Sequence, residues 1–148
     1  MSDSLDPALR TLLDKAAIRD VLARYAHSVD RRDLDGVASC FTRDASYKGS
    51  LGEGSIEVAL RALRERMAQY ASTMHFIGNQ LIDVRGDGAT SETYAIAYHQ
   101  LRLDEERKNM AVGVRYLDTL LRTADGWRIC HREVKLEWQR FDELVVPG

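Results

Sequence analysis

Proline is almost missing from this chain of 148 residues: there are two, Pro7 and Pro147, both close to the ends. No Pro/Ser-rich linker, internal repeat or low-complexity tract divides the sequence either, so one domain is expected. Cysteine is as scarce, with Cys40 and Cys130 far apart and no CxxC pair. A reduced, cytoplasmic protein is the expectation, with a single disulfide as the alternative. No apolar run approaches the roughly 20 residues that a membrane helix needs, and the opening MSDSLDPALR lacks the basic and apolar regions of a signal peptide. No membrane partner is therefore expected. Neither sign of charge dominates: the formal net charge is −2. That argues against a nucleic-acid partner, whose phosphates call for a basic face. Arg61, Arg64 and Arg66 do cluster, but Glu57 and Glu65 are interleaved with them, the pattern of a solvated helix face.

Signatures for metals and phosphates are missing too. The four histidines show no HExxH spacing, and nothing resembles an EF-hand or a zinc ribbon. Gly86 and Gly88 fall in a turn between strands rather than before a helix, so they make no phosphate loop. No GxSxG elbow occurs. The chemistry expected is free of metal and cofactor.

What is present reads as helices first and a sheet afterwards. Hydrophobic residues make up 45% and charged ones 30%, ordinary for a globular protein large enough to bury a core and a pocket. Asp6 before Pro7 is a helix start, an N-cap acceptor with proline in the first turn. Leu9, Leu12, Leu13 and Ala16, then Ile18, Val21, Leu22, Tyr25 and Val29, keep helical spacing, which predicts one long helix or two abutting ones to about Val29. Asp33 can cap a second, short helix through Cys40, with Leu34, Val37, Ala38 and Phe41 turned inward. Asp44 to Lys48 reads as a short strand. From Ser55 a third helix carries the stripe Ile56, Leu60, Leu63 and Met67.

After Tyr70 the composition turns to β-branched and aromatic residues. Thr73 to Val84, Ala89 to Leu103, Ala111 to Thr123 and Gly126 to Trp138 read as strands. They are separated by turn signals at Arg85-Gly86-Asp87-Gly88, at the charged Asp104 to Asn109, and at Ala124-Asp125-Gly126. Long consecutive strands on short turns make an antiparallel meander. The expected class is α+β, with the helices on one face of a curled sheet and a hollow between them.

Three separated residues carry the chemistry. Asp30 closes the first helix in RYAHSVDRRD, His75 opens a strand in TMHFIGNQ, and Arg132 lies in DGWRICHRE. A carboxylate, an imidazole and a guanidinium can together remove a proton and stabilise the charge that forms, which suits elimination or isomerisation. His75 is the candidate general base, since an imidazole titrates close to neutral pH; a core histidine satisfied by a backbone carbonyl is the plain alternative. Asp30 would orient the imidazole and stabilise the imidazolium, as a triad acid does. An acid at a helix C-terminus opposes the dipole, so it needs another reason to be there. Tyr25 and Asp30 are about 500° apart around an ideal helix, about 140° off one face, so they share a cavity only if the helix ends or bends first. Simple alternation puts Arg132 on one strand face with Arg128, Cys130, Val134, Leu136 and Trp138. There Arg132 could stabilise a leaving group or enolate. Asn79, on the His75 face, is a candidate for binding substrate. Trp127 and Trp138 read as core or pocket wall, with Trp138 assigned to the substrate-binding wall. His99, on the face of Ala95, Ala97 and Leu101, is a second acid or a buried structural histidine. His27 and His131 read as structural or exposed.

This order of elements, with TMHFIGNQ followed by YHQLRL, resembles the SnoaL-like branch of the nuclear transport factor 2-like superfamily from about Leu9 to Trp138. The resemblance implies a cone-shaped curled sheet packed against N-terminal helices, and a cofactor-independent lyase. His75 and His99 match the two pocket histidines of the scytalone dehydratases, Asp30 their acid and Tyr47 a tyrosine near the first strand. The hexachlorocyclohexane dehydrochlorinases have an Asp–His pair falling on Asp30 and His75 and an arginine falling on Arg132. The bile-acid 7α-dehydratases have a tyrosine and an aspartate spaced as Tyr25 and Asp30 are, and a histidine matching His75. Val29 stands where the scytalone enzymes have a second tyrosine, and their substrate-binding serine and asparagine fall near Arg115 and Leu117, so scytalone itself is not the expected substrate.

The expectation is thus dehydratase-type elimination on a small cyclic, largely apolar molecule with an oxygen function. Asp30 and His75 would form the base, Arg132 and Tyr25 would complete the catalytic set, and Tyr47, Asn79, His99 and Trp138 would bind substrate. An isomerase or cyclase of the same fold is the alternative, and a non-catalytic ligand-binding module the rival of another class. The resemblance also implies a homo-oligomer, dimer or trimer, formed through the outer sheet face. The tail from Arg140 to Gly148, with Phe141, Leu144, Val145 and Val146, is a candidate cover for the pocket mouth or a neighbouring subunit.

Overall fold

The computed structural model describes residues 6–101 and 109–142. The turn expected at Asp104 to Asn109 lies outside the described residues up to Lys108, as do the opening segment before Asp6 and the tail beyond Asp142.

Helix α1 spans Pro7–Asp30. Asp6 caps it, its carboxylate accepting from the amides of Ala8 at 2.8 Å and Leu9 at 3.2 Å, which satisfies donors that the first turn leaves open. Asp14, Ile18, Val21, Leu22, Tyr25 and Val29 form its buried stripe. Leu9, Leu12 and Leu13, expected on that stripe, are exposed at 44%, 63% and 51%; burial begins only at Asp14, from where the helix packs on the sheet. Asp14 then joins helix to sheet: Arg122 forks onto it with two bonds of 2.7 Å, and the Trp127 indole N–H donates to it at 3.1 Å.

The helix stops at Arg31, and Arg32 follows with a left-handed φ of 62°. Asp33 accepts from the Gly36 amide and caps α2, Leu34–Ser39. Strand β1, Phe41–Gly49, is longer than expected. It turns back into β2, Gly52–Ser55, which was not expected. Positive φ values of 111° at Gly52 and 141° at Gly54 allow that hairpin, a backbone state open mainly to glycine. Helix α3, Ile56–Met67, buries Ile56, Ala59, Leu63 and Met67.

The strands β3 (Ser72–Arg85), β4 (Gly88–Gln100), β5 (Asn109–Thr123) and β6 (Gly126–Asp142) form the expected antiparallel meander. Among the described residues, six strands make one curled, open sheet in the order β2-β1-β6-β5-β4-β3. The sheet is mixed, because β1 runs parallel to β6. Ile18, Leu22, Val37, Leu120 and Ile129 are buried between helices and sheet. The architecture is the α+β cone that was expected. Among the described residues no helix is long and apolar enough to cross a membrane.

The register is interrupted between Phe41 and Ser46 in the β1–β6 pairing and at three places in the meander, and the latter three decide where the meander's side chains point. The β3–β4 pairing shifts between Ile77 and Gln80. In β5–β6, Glu137 is skipped between Gly113 and Val114, and Cys130 is skipped between Thr119 and Leu120. Each bulge resets the two-residue alternation beyond it.

Candidate active site

Asp30, the last residue of α1, meets β3 through three hydrogen bonds. The His75 ring Nδ1 lies 2.7 Å from Oδ1, the His75 backbone N–H donates to Oδ2 at 2.8 Å, and the Thr73 hydroxyl donates to Oδ1 at 3.0 Å. Arg32 supports this cluster from behind, donating to the Thr73 hydroxyl at 2.9 Å and to the Tyr70 carbonyl at 3.2 Å. Burial pushes the Asp30 carboxyl up, but the ring and backbone bonds from His75, the His75 charge and the Thr73 bond outweigh it, so its pKa lies below the ordinary value. A carboxylate only accepts, so Nδ1 of a neutral His75 carries the proton and Nε2 keeps its lone pair.

His75 lines a cavity of about 420 Å³ between helices and sheet, within the range that holds a small ligand. Tyr25, Tyr47 and His99 line it too, and so do Tyr70, Tyr116 and Arg66, which sequence reasoning did not single out. Asp30 itself is not on the wall. Helix α1 therefore needs no bend: Tyr25 faces the cavity while Asp30, on another side of the helix, reaches His75 by way of β3.

Three residues expected in this site stand elsewhere. Arg132 does turn inward, but its side chain is fully buried against Asp118, with Nε and Nη2 each 2.7 Å from a carboxylate oxygen. It does not line the cavity. Its guanidinium carbon lies 4.2 Å from the Tyr25 ring centroid and 4.3 Å from that of Tyr116, the two rings that do. No local pattern could announce that partner, since Asp118 reaches Arg132 only through the β5–β6 register. Asn79 and Trp138 line a separate groove with Phe76, Tyr94 and Arg115. The shift after Ile77 removes Asn79 from the His75 face, and the bulge at Glu137 turns Trp138 away while Leu136 and Gln139 face the cavity.

The cavity's polar groups are mostly neutral. Burial, with smaller contributions from the His75 and Arg66 charges, pushes His99 down to about 4, so its ring is uncharged at neutral pH. Its buried Nδ1 has no hydrogen-bond partner among the described residues. Its ring packs 4.8 Å from that of Tyr70 and 6.0 Å from that of His75. Burial pushes the Tyr47 phenol up to about 12 and raises Tyr25 and Tyr116 as well. All three phenols keep their protons and can donate hydrogen bonds. Cys40 is buried and Cys130 partly exposed, both as free thiols. Exposed His27 bonds the Ala23 carbonyl, and His131 bonds Ser46.

A curled sheet capped by helices around a cavity of this kind defines the nuclear transport factor 2-like α+β class. Within it the chain belongs to the SnoaL-like domain family, whose pattern it matches over residues 10–133. It is 29% identical over 136 residues to the uncharacterized protein Rv2910c of Mycobacterium tuberculosis, covering 89% of both chains. Among solved structures it is similar to a candidate scytalone dehydratase from Novosphingobium aromaticivorans, with a TM-score of 0.80, 20% identity and 91% of each chain covered. It is also similar to the hexachlorocyclohexane dehydrochlorinase LinA-type3 of Novosphingobium barchaimii, with a TM-score of 0.81, 19% identity and 95% and 99% of the two chains covered. These likenesses establish the fold.

Proposed function

We propose that the protein is a cofactor-independent lyase that eliminates water, or a comparable leaving group, from a small cyclic, largely apolar molecule. The observation that carries this reading is the 2.7 Å contact between Asp30 and a His75 ring that lines the cavity. His75 Nε2 takes a carbon-bound proton, and Asp30 stabilises the imidazolium that results. The phenols of Tyr25, Tyr47 and Tyr116 donate hydrogen bonds to the enolate oxygen or to the departing hydroxyl, which takes the proton back from the His75 imidazolium and leaves as water. His99, being neutral, assists as a hydrogen-bonding group rather than as a cationic acid. Arg132, held by Asp118, acts on the reaction through the two tyrosine rings stacked on it and does not touch substrate. The open cavity and the formed dyad speak for catalysis over a purely binding role. The alternative that fits the same groups is isomerisation, in which the proton returns at another carbon.

The test is proton exchange and product mass. With a cyclic β-hydroxyketone in D₂O, the native protein should incorporate deuterium next to the carbonyl and release a product lighter by one water, and His75→Ala should do neither. Turnover undiminished in a folded His75→Ala protein would remove the mechanism, and a product that has taken up deuterium but lost no water would make the enzyme an isomerase.

We further propose that the protein works in the cytoplasm as a dimer or trimer joined through the outer sheet face, where Phe76, Tyr94 and Trp138 are exposed at 66%, 46% and 45%. Light scattering on the eluting protein checks this, and a monomer at micromolar concentration contradicts it.

A further inference from the structure

Arg66 is the permanently charged side chain on the wall of the cavity that His75 lines, among the described residues. The sequence presented it as part of a solvated helix face. Instead it reaches from the last turn of α3 to the β1–β2 turn, where Nη1 donates to the Ser50 hydroxyl at 2.9 Å and Nη2 to the Ser50 carbonyl at 2.7 Å. Neither acceptor carries a charge. Arg115, Arg122, Arg128 and Arg132 each engage a carboxylate; no carboxylate among the described residues pairs with Arg66. Nor does any Asp or Glu among them line the cavity.

The rest of the wall is apolar or neutral, with Leu51, Leu63, Met67, Val112 and Val134 supplying much of it. Arg66 is half-buried, and on its cavity side the apolar lining screens the charge less than open water would. At His99 burial and then the His75 charge do most to disfavour protonation, and the Arg66 charge adds a smaller push in the same direction. A guanidinium carries five N–H donors in a planar fork, and Ser50 engages two of its nitrogens, leaving donors free for a planar anion.

We propose that the ligand of this cavity is a monocarboxylate with an apolar ring body, its carboxylate held by Arg66 and its ring lying toward His75. This rests on the cavity being the substrate site and adds the charge of the substrate to it. A monoanion matches the wall better than a phosphate dianion, because Arg66 brings one unit of charge and no second permanent cation lines the described wall.

The test uses two probes of the same shape, 2-naphthoate and the neutral 2-naphthamide, titrated calorimetrically into the native full-length protein. The native protein should bind the carboxylate at least about tenfold more tightly than the amide, the scale of one charge-assisted contact. Arg66→Gln, whose amide can still bond Ser50, should lose that preference while binding the amide as before. Arg66→Lys, which keeps the charge without the fork, should retain most of it. Equal affinities in the native protein, no detectable naphthoate binding, or a preference that survives in Arg66→Gln would each overturn the proposal. So would equal loss of both probes in Arg66→Gln with Arg66→Lys no better, which would reduce Arg66 to a clamp on the Ser50 turn. No turnover is read, so failure here and failure of the lyase mechanism are separate results.

Discussion

Asp30 holds His75 at two points: one carboxylate oxygen accepts from the backbone N–H at 2.8 Å and the other meets the ring Nδ1 at 2.7 Å. The grip fixes strand and imidazole together, so the tautomer follows from the backbone position. Neutral His75 should therefore carry its proton on Nδ1, which ¹⁵N shifts of the ring nitrogens report directly. Asp30→Asn should weaken that preference and slow deuterium exchange into the ketone by up to about 10⁴-fold, the scale on which an orienting acid matters in a catalytic triad. A ring protonated on Nε2 in the native protein would contradict the arrangement.

The Thr73 hydroxyl links Arg32 to Asp30, accepting from one at 2.9 Å and donating to the other at 3.0 Å. Thr73→Val keeps the shape and deletes both bonds, each to a charged group. A stability loss of about 2 kcal/mol is expected in urea unfolding. An unchanged midpoint would show that Asp30 is held without this link.

Arg132 and Asp118 are a fully buried ion pair, with side chains at 0% exposure. Removing one partner strands the other charge in the core. Asp118→Leu and Arg132→Met should each cost about 3–5 kcal/mol, while the double variant should recover much of the loss. Urea melts of the three variants measure this. Additive losses would mean that the two residues do not act as a pair.

His99 should titrate near pH 4 in a ring-proton NMR experiment, well below its ordinary 6.5. The unfolded chain then binds this proton at a higher pH than the native protein does. The stability associated with His99 is fully present above about pH 6.5 and is lost as pH falls through about 4. His99→Phe should flatten the stability profile across that window. An unaltered profile would place the acid sensitivity elsewhere.

Asp14 has its pKa lowered mainly by the Arg122 bond, with burial opposing and the Trp127 bond adding to it. Here too the unfolded state binds the proton first. Stability is present above the ordinary carboxylate value and falls as pH drops through the lower native one. Asp14→Asn should reduce the acid slope of the unfolding free energy, measured by urea titration between pH 2 and 5 (approximate limits set by carboxylate titration).

Much of the fold was legible because local rules govern it. The acceptor at Asp6, the i, i+3, i+4 stripe from Ile18 to Val29 and the glycine turns at Gly86 and Gly126 act within a few residues, and the meander followed from them. Asp30, His75, Tyr25 and Tyr47 were found on residue type and family resemblance, and the structure brings all four to or against one cavity. Arg66 escaped because a helical charge pattern looks the same whether its arginine meets water or reaches Ser50.

The sequence by itself determined the three helices and the four long strands of the meander, though not the β2 hairpin or the full length of β1, and that an acid would stand at the end of the first helix with an imidazole on the strand after the third. Tertiary structure alone decided the faces. A bulge is one extra residue opposite a partner strand, so its effect on alternation exists only once the strands pair, and that moved Asn79 and Trp138 out of the site. Pairing likewise gave Arg132 to Asp118, and the packing of α3 brought Arg66 to Ser50 without a counter-ion among the described residues, because the energy of a charge depends on what comes within a few ångströms of it and not on its neighbours along the chain.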